Sequence, residues 1–489
     1  MDDDIEILDI FDKDKKDNNK DSSMSRVSRL EKREQMTKEN ETKSEIKERK
    51  EKRRNNDDVK EEKKSKKEKK KASLFQKVFC SVSALFILGC IAFYGYRFVK
   101  YYRIYNPKID SSDGSVLLAK DIVGKSEFGT DEEDGLFSSS GNYIYKGDVK
   151  NNYLKYNNML WRIVRINADN SLDIILDDYI TLLPWGNKVT SFKESDIYKY
   201  INTDFLEVLN QEILNKTSFC TDKLSDLSSI TCENQNSDGY VKLLDVANFL
   251  NSVNNGKSYL VKSDEIFWLA DYGTDKIWHT NGVNVSQSEI NSFYEIRPMV
   301  RLRNTTVYST GDGTINNPYI VDKEDKLSVG SKVILGEDEW IVYDNKDNIK
   351  LMKSNILDKQ MEFDKEKLTY KDSSLLTYLN DTYLNSLSYK DMIIENTWYI
   401  GEYKDNISDI KSDTVKAKVG IPNLLDIKFD SSVKLYFTST VNEERVMVYD
   451  NPLRPGRVTT YRGVRPCITI SKESASKLKY LDGVFKVGE

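Results

Sequence analysis

Residues 195–206 read SDIYKYINTDFL, and residues 373–384 bring the pattern back as SSLLTYLNDTYL. Ser195, Ile197, Tyr200, Ile201, Asn202, Phe205 and Leu206 fall on Ser373, Leu375, Tyr378, Leu379, Asn380, Tyr383 and Leu384, a shift of 178 residues. In both stretches apolar positions recur three and four apart, which marks one face of a helix, and a serine stands at the N-cap. Working outward, LWRIVRINADNSLDIIL (160–176) matches EWIVYDNKDNIKLM (339–352), with Trp161 on Trp340. Downstream, Val241-Lys242-Leu243-Leu244 falls against Val419-Gly420-Ile421-Pro422. Near the ends, Ile296-Arg297-Pro298-Met299-Val300 meets Val464-Arg465-Pro466-Cys467-Ile468, now 168 apart. Landmarks in one order at nearly one shift read as a tandem duplication, with repeat 1 over residues 140–322 and repeat 2 over 326–489.

Each repeat reads as an antiparallel α+β domain. It opens with a hairpin, Trp161 to Ile166 and Leu172 to Leu176 about the turn Asn167-Ala168-Asp169-Asn170, and the helix follows. Later strands are expected at Ser258 to Val261 and Phe267 to Leu269, answered by Leu435 to Phe437. The repeat closes on the Arg-Pro strand, which is expected to pair with the first strand. Thr310-Gly311-Asp312-Gly313-Thr314, followed by Asn317-Pro318, has turn chemistry and lacks the Gly-Lys-Ser/Thr core of a phosphate loop.

Ahead of the duplication the chain changes character. Val78 to Tyr96, VFCSVSALFILGCIAFYGY, is uncharged between Lys77 and Arg97. Such a run spans roughly 28 Å as a helix, close to a hydrocarbon core of about 30 Å. More than seventy mostly polar residues precede it, so it reads as a permanent anchor and not a cleaved signal. Residues 60–77 hold nine lysines against three glutamates, while Arg97, Lys100, Arg103 and Lys108 stand on the far side. The positive-inside bias places the N-terminus in the cytoplasm at the cell membrane and the C-terminal part outside. The lysines are expected to rest on anionic headgroups.

The expected organisation is therefore a disordered charged arm (1–73), the transmembrane helix with its flanks (74–103), a linker (104–139) and the two repeats. Residues 1–77 carry 25 Lys+Arg against 21 Asp+Glu, and the remainder 49 against 58, so the outer part is acidic and argues against nucleic acid as its partner. The arm has too few apolar side chains to fold alone. Its first residues, MDDDIEILDIFD, set Ile5, Ile7, Leu8, Ile10 and Phe11 among aspartates, a pattern suited to docking on a cytoplasmic protein.

The runs Asn142-Tyr143-Ile144-Tyr145-Lys146-Gly147 and Asn151-Asn152-Tyr153-Leu154, followed by the Trp161 hairpin, resemble a family of lectin-like surface domains from low-GC Gram-positive bacteria. That family shows a WRI-x-RIN hairpin, a YLN helix, a VRP closing strand and a GDGT…NPY tail. The first repeat carries all four, with Tyr200-Ile201-Asn202 and Ile296-Arg297-Pro298 as its variants. The second keeps Trp340, Tyr378-Leu379-Asn380 and Val464-Arg465-Pro466 but departs at the opening and the tail. The order is also similar to the C-type-lectin-like fold, which includes the sulfatase-modifying-factor group. The resemblance implies lectin-like modules and supplies no catalytic set.

Tested directly, the residues favour binding over catalysis. His279 is the one histidine, too few for a His-rich zinc site, and it reads as a loop or strand-end side chain. There is no Gly-x-Ser-x-Gly elbow, no Glu-Pro-Asn or Trp-Asn-Asp calcium pair and no EF-hand. No catalytic residue, cofactor or metal ligand is expected; Asp312 reads as an ordinary turn residue. Cys80 and Cys90 lie in the span, Cys467 is expected buried and reduced, and Cys220 and Cys232 flank a short outer loop that a disulfide would close. Trp161, Tyr200, Asn202, Arg297, Pro298, Trp340, Tyr378, Asn380, Arg465 and Pro466 are expected to serve the fold, the arginines by satisfying backbone carbonyls or a carboxylate. The leading expectation is a non-enzymatic, single-pass surface protein binding an envelope glycan or protein. The alternatives are a sulfatase-modifying-factor type ectoenzyme and a scaffold acting through its N-terminal peptide.

Overall fold

The computed structural model describes residues 79, 81–100, 102, 116–130, 132–228, 230, 232–262, 265–429 and 432–487. The charged arm with Ile5, Ile7, Leu8, Ile10 and Phe11, Cys80, and the stretch 103–115 lie outside the described residues. Ser81–Lys100 is one helix long and apolar enough to cross a membrane. Its side chains Leu85, Phe86, Leu88, Ile91 and Phe93 are exposed.

Residues 116–487 are mixed α+β with mostly antiparallel sheets. In the N-terminal half the strands run in the order Val241–Lys242, Met299–Leu302, Leu172–Leu176, Met159–Ile166, Asn142–Lys146, Gly135–Ser139. Tyr153–Tyr156 also pairs with Met159–Ile166, and Tyr319–Ile320 lies parallel to it. In the C-terminal half the order is Val419–Gly420, Cys467–Ile470, Ile349–Lys353, Asp338–Asp344, Lys332–Leu335, Val484–Val487, Leu478–Leu481, the Val484 strand again parallel. Each half adds a two-stranded hairpin, Thr217–Cys220 with Gln235–Gly239 and Asn396–Tyr399 with Thr414–Ala417. Each also adds a three-stranded meander that begins at Trp268 or Tyr436.

The central strands are buried on both faces: Trp161, Ile163, Ile166, Leu172, Ile174 and Ile175 are fully covered, as are Trp340, Val342, Leu351 and Met352. One apolar core runs through both halves, from Leu118 to Phe485.

Three expectations are corrected. The closing strand does not pair with the first strand of the hairpin; Met299–Leu302 and Cys467–Ile470 pair with the second strand in each half. In the N-terminal half the free edge of Met159–Ile166 is already taken by Asn142–Lys146 and Tyr153–Tyr156. Ser258 to Val261 forms a turn, closed by Val261 N–H donating to the Ser258 carbonyl at 3.1 Å and tied by Ser258 Oγ, which accepts from Leu260 N–H at 3.2 Å. Within the stretch read as linker, residues 104–139, the described residues 116–130 and 132–139 are structured. Leu118–Lys125 is a helix burying Leu118, Ala119 and Ile122, Val116–Leu117 pairs with Val307–Tyr308, and Gly135–Ser139 forms a sheet edge.

Candidate ligand-binding cleft

The landmark side chains act on the backbone around them. Ser195 and Ser373 cap their helices by accepting from Tyr198 and Leu376 N–H. Both helices then widen into a π-turn, Ile201–Phe205 and Leu379–Tyr383, which turns an asparagine toward a short sheet strand. Asn202 Nδ2 donates to the Val241 carbonyl at 2.8 Å, and its Oδ1 accepts from Val241 N–H at 3.1 Å. Asn380 makes the same pair with Val419, at 2.9 and 3.0 Å.

Arg297 and Arg465 are fully buried and carry no carboxylate partner among their hydrogen bonds. Arg297 donates to the carbonyls of Leu176, Asp177 and Leu260; Arg465 donates to those of Lys353, Ser354 and Phe429. Each lies over an aromatic ring, Phe267 or Tyr436. The prolines that follow offer their carbonyls to Leu176 N–H and Lys353 N–H, both at 2.9 Å. Trp161 donates its indole N–H to the Tyr156 carbonyl, and Trp340 donates to Tyr389 Oη.

Cys220 and Cys232 are joined by a disulfide that closes the hairpin at the Gln235–Cys220 pair. Asp222 stiffens the same loop by accepting from Glu233 and Asn234 N–H. The other hairpin is held by packing: Trp398 lies against Gly420, where an added Cβ would meet the indole at 2.5 Å. Cys467 is free and fully buried, and burial pushes its thiol well above the ordinary range. His279 sits mid-strand and not at a strand end, between Trp268 and Tyr294, with Nε2 2.8 Å from Ser288 Oγ. Burial lowers its pKa. Asp312 accepts from Thr314 N–H and Oγ1 in an Asx turn, which holds its carboxyl below the usual range.

These residues do not converge on one site. Convergence occurs elsewhere, in a cleft of about 360 Å³ where the halves meet. Its floor is apolar, built from Leu176, Tyr179, Ile180, Ile341 and Phe429. Its rim is polar and paired: Glu339 with Lys332 at 3.1 Å, and Asp177 with Lys262 at 3.2 Å. Asn158, Asp178 and Asn355 complete it. The wall is pinned from both halves, Lys428 N–H donating to the Ile180 carbonyl at 2.7 Å and Thr181 Oγ1 to the Leu424 carbonyl at 2.6 Å.

Lys428 is buried, and that burial pulls its pKa down to about 7. Its amine donates to the Asn423 and Asp426 carbonyls, both at 2.6 Å, so it serves the wall rather than the opening. Behind the cleft Glu295 is completely covered, and burial with nearby Glu265 pushes its carboxyl up to about 9. Its Oε1 accepts from Asn451 Nδ2 across the halves. None of the cleft residues was singled out from sequence as part of a site; they come from three separate stretches, 158–180, 330–355 and 428–429, that only the fold brings together.

A second cavity, about 220 Å³, lies beside the disulfide hairpin and carries Arg165, Lys242, Arg301, Asp245, Asn248 and Asp271. Arg301 forks onto buried Asp173 at 2.6 and 2.9 Å. Asp271 Oδ2 accepts from Val246 N–H at 2.6 Å, and burial beside Asp245 raises its carboxyl to about 7. No family model, curated protein or solved structure matches the chain.

Proposed function

We propose that the chain is a single-pass membrane protein of the bacterial surface, its N-terminus cytoplasmic and its folded part outside. The folded part is two copies of one lectin-like α+β domain, and the cleft between them binds an envelope saccharide without converting it. The duplicate reading is supported by the shared strand order, the matched Asn202 and Asn380 clamps and the matched Arg297 and Arg465 carbonyl nets.

The observation that carries the binding reading is the chemistry of the cleft. A floor with the partly exposed Phe429 offers an apolar surface to a sugar face, while Asp178, Asn355 and the Glu339–Lys332 pair offer donors and acceptors to hydroxyls. The volume sits within the range of small-molecule sites, about 300 to 1,000 Å³. The test is a glycan array probed with the full chain in detergent, alongside Phe429→Ala and Asn355→Ala. Retained fold with lost glycan binding in both variants supports the cleft; glycan binding unchanged by either places the ligand elsewhere. An experimental structure in which Trp161, Asn202 and Arg297 fail to superpose on Trp340, Asn380 and Arg465 would sink the two-copy reading.

A further inference from the structure

A third cavity, about 460 Å³, lies between the helix Leu118–Lys125, the strand pair Gly135–Ser139 and Asn142–Lys146, and the turn at Gly311-Asp312. It shares no lining residue with the cleft between the halves. Leu136 and Tyr145 are register partners, so both side chains stand on one face of the strand pair and line the cavity together with Ile122 and Tyr319. Lys146, the next residue, is sent to the other face, where its amine lies over the Phe137 ring. Tyr145 is only 3% exposed, yet its hydroxyl makes no hydrogen bond among the described residues. Phenols covered to this degree ordinarily have a partner.

The walls around that hydroxyl are acidic. Asp121 is matched by Lys125 at 2.7 Å, and Lys150, beside Asn151 in the chain, is taken by Asp148 at 2.5 Å. Asp134 accepts from Asp148 N–H at 2.9 Å and Asn254 Nδ2 at 3.1 Å, and Asp312 from Thr314 N–H at 2.9 Å and Oγ1 at 2.7 Å. These donors are neutral: they orient a carboxylate without cancelling its charge. Glu127 is exposed and has no ion pair among the described residues. Glu127, Asp134 and Asp312 therefore line the space without a counter-charge. Glu132 and Glu133, exposed just ahead of Asp134, add to a field of the same sign.

A divalent ion needs several oxygens gathered about one point. Among the described residues, no three carboxylates here bring oxygens within 4.8 Å of one another. Separated carboxylates set among apolar and aromatic side chains instead suit a ligand whose positive charges are themselves separated by methylenes. We propose that this cavity binds an aliphatic polyamine, its ammonium groups at Glu127, Asp134 and Asp312, its methylenes along Leu136 and Tyr319, and one N–H donated to the Tyr145 hydroxyl. The site is independent of the saccharide cleft and stands or falls without it.

The test is titration calorimetry of the full chain in detergent with spermidine. Tyr145→Phe changes no charge and removes no protein hydrogen bond, and it is expected to weaken spermidine binding about tenfold at unchanged Tm. Glu127→Gln with Asp312→Asn, which keeps the turn's acceptor, is expected to weaken binding at least tenfold and to flatten its salt dependence. Glu444→Gln with Asp482→Asn removes the same charge from exposed positions in the C-terminal half and is expected to leave binding unchanged. No heat from spermidine, unchanged affinity in Tyr145→Phe, or an equal loss in the control pair each overturns the proposal. Calcium that displaces spermidine at equal ionic strength overturns it as well, since that result marks an ion cage and not a polyamine site.

Discussion

Replacing Glu295 by glutamine removes a titration that the fold holds far from its ordinary range. In the unfolded chain this carboxyl titrates near 4.5, and in the folded protein burial and Glu265 move it to about 9. Between those values the folded state keeps a proton that the unfolded state has released. The folded state's advantage is therefore complete below 4.5 and falls as pH rises toward about 9. At 1.36 kcal/mol per unit, holding the proton at pH 7 costs about 3 kcal/mol. Glutamine keeps the Oε1 acceptor that Asn451 uses and stays neutral at every pH, so Glu295→Gln should recover much of that amount. With an unfolding entropy of about 2.1 cal/mol/K per residue across residues 97–489, this corresponds to roughly 4 °C in Tm. Differential scanning calorimetry of both proteins at pH 5 and pH 8.5 reads it directly. The gap between variant and parent should be small at the lower pH and widen at the higher. An equal gap at both would refute the account, because a packing effect would not titrate.

Reduction of the Cys220–Cys232 bridge, or Cys220→Ser with Cys232→Ser, should cost about 3 kcal/mol for a loop of this length, seen as a lower Tm with reductant and none of that sensitivity in the double variant. Asn202→Ala and Asn380→Ala each remove a side chain that both donates to and accepts from one strand residue, and each should cost about 2–4 kcal/mol in denaturant unfolding; near-neutral values would show that the strands hold without the clamp. Protease added to intact protoplasts should remove the chain beyond Tyr102 and spare the lysine-rich arm, and loss of the arm instead would reverse the proposed orientation. Lys428→Met should flatten the rise in stability from pH 7 toward 10.5 that a buried, depressed lysine contributes, since the unfolded chain binds that proton and the folded one does not.

The α+β class, the apolar span and both capped helices were legible because each rests on local spacing. Three-and-four periodicity, alternation in WRIVRI and a serine one residue before a helix act within a few residues of themselves. The internal match was legible for another reason: landmarks such as Trp161 and Trp340 keep one order and nearly one shift however the chain is folded. What the closing strand pairs with was not legible, because alternation assigns faces and leaves sheet neighbours open; the crowded edge beside Met159–Ile166 decided it. Ser258 to Val261 has strand-forming residues but is overruled by Ser258 Oγ and by Arg297, which draws the Leu260 carbonyl inward. Residues 116–139 looked like linker because two short apolar patches carry little periodic signal, yet Val307–Tyr308 and the sheet edge supply partners far along the chain. The cleft belongs wholly to tertiary structure. Tyr179 and Phe429 have no pattern in common, and only the seating of Lys428 and Thr181 across the halves brings them to one floor.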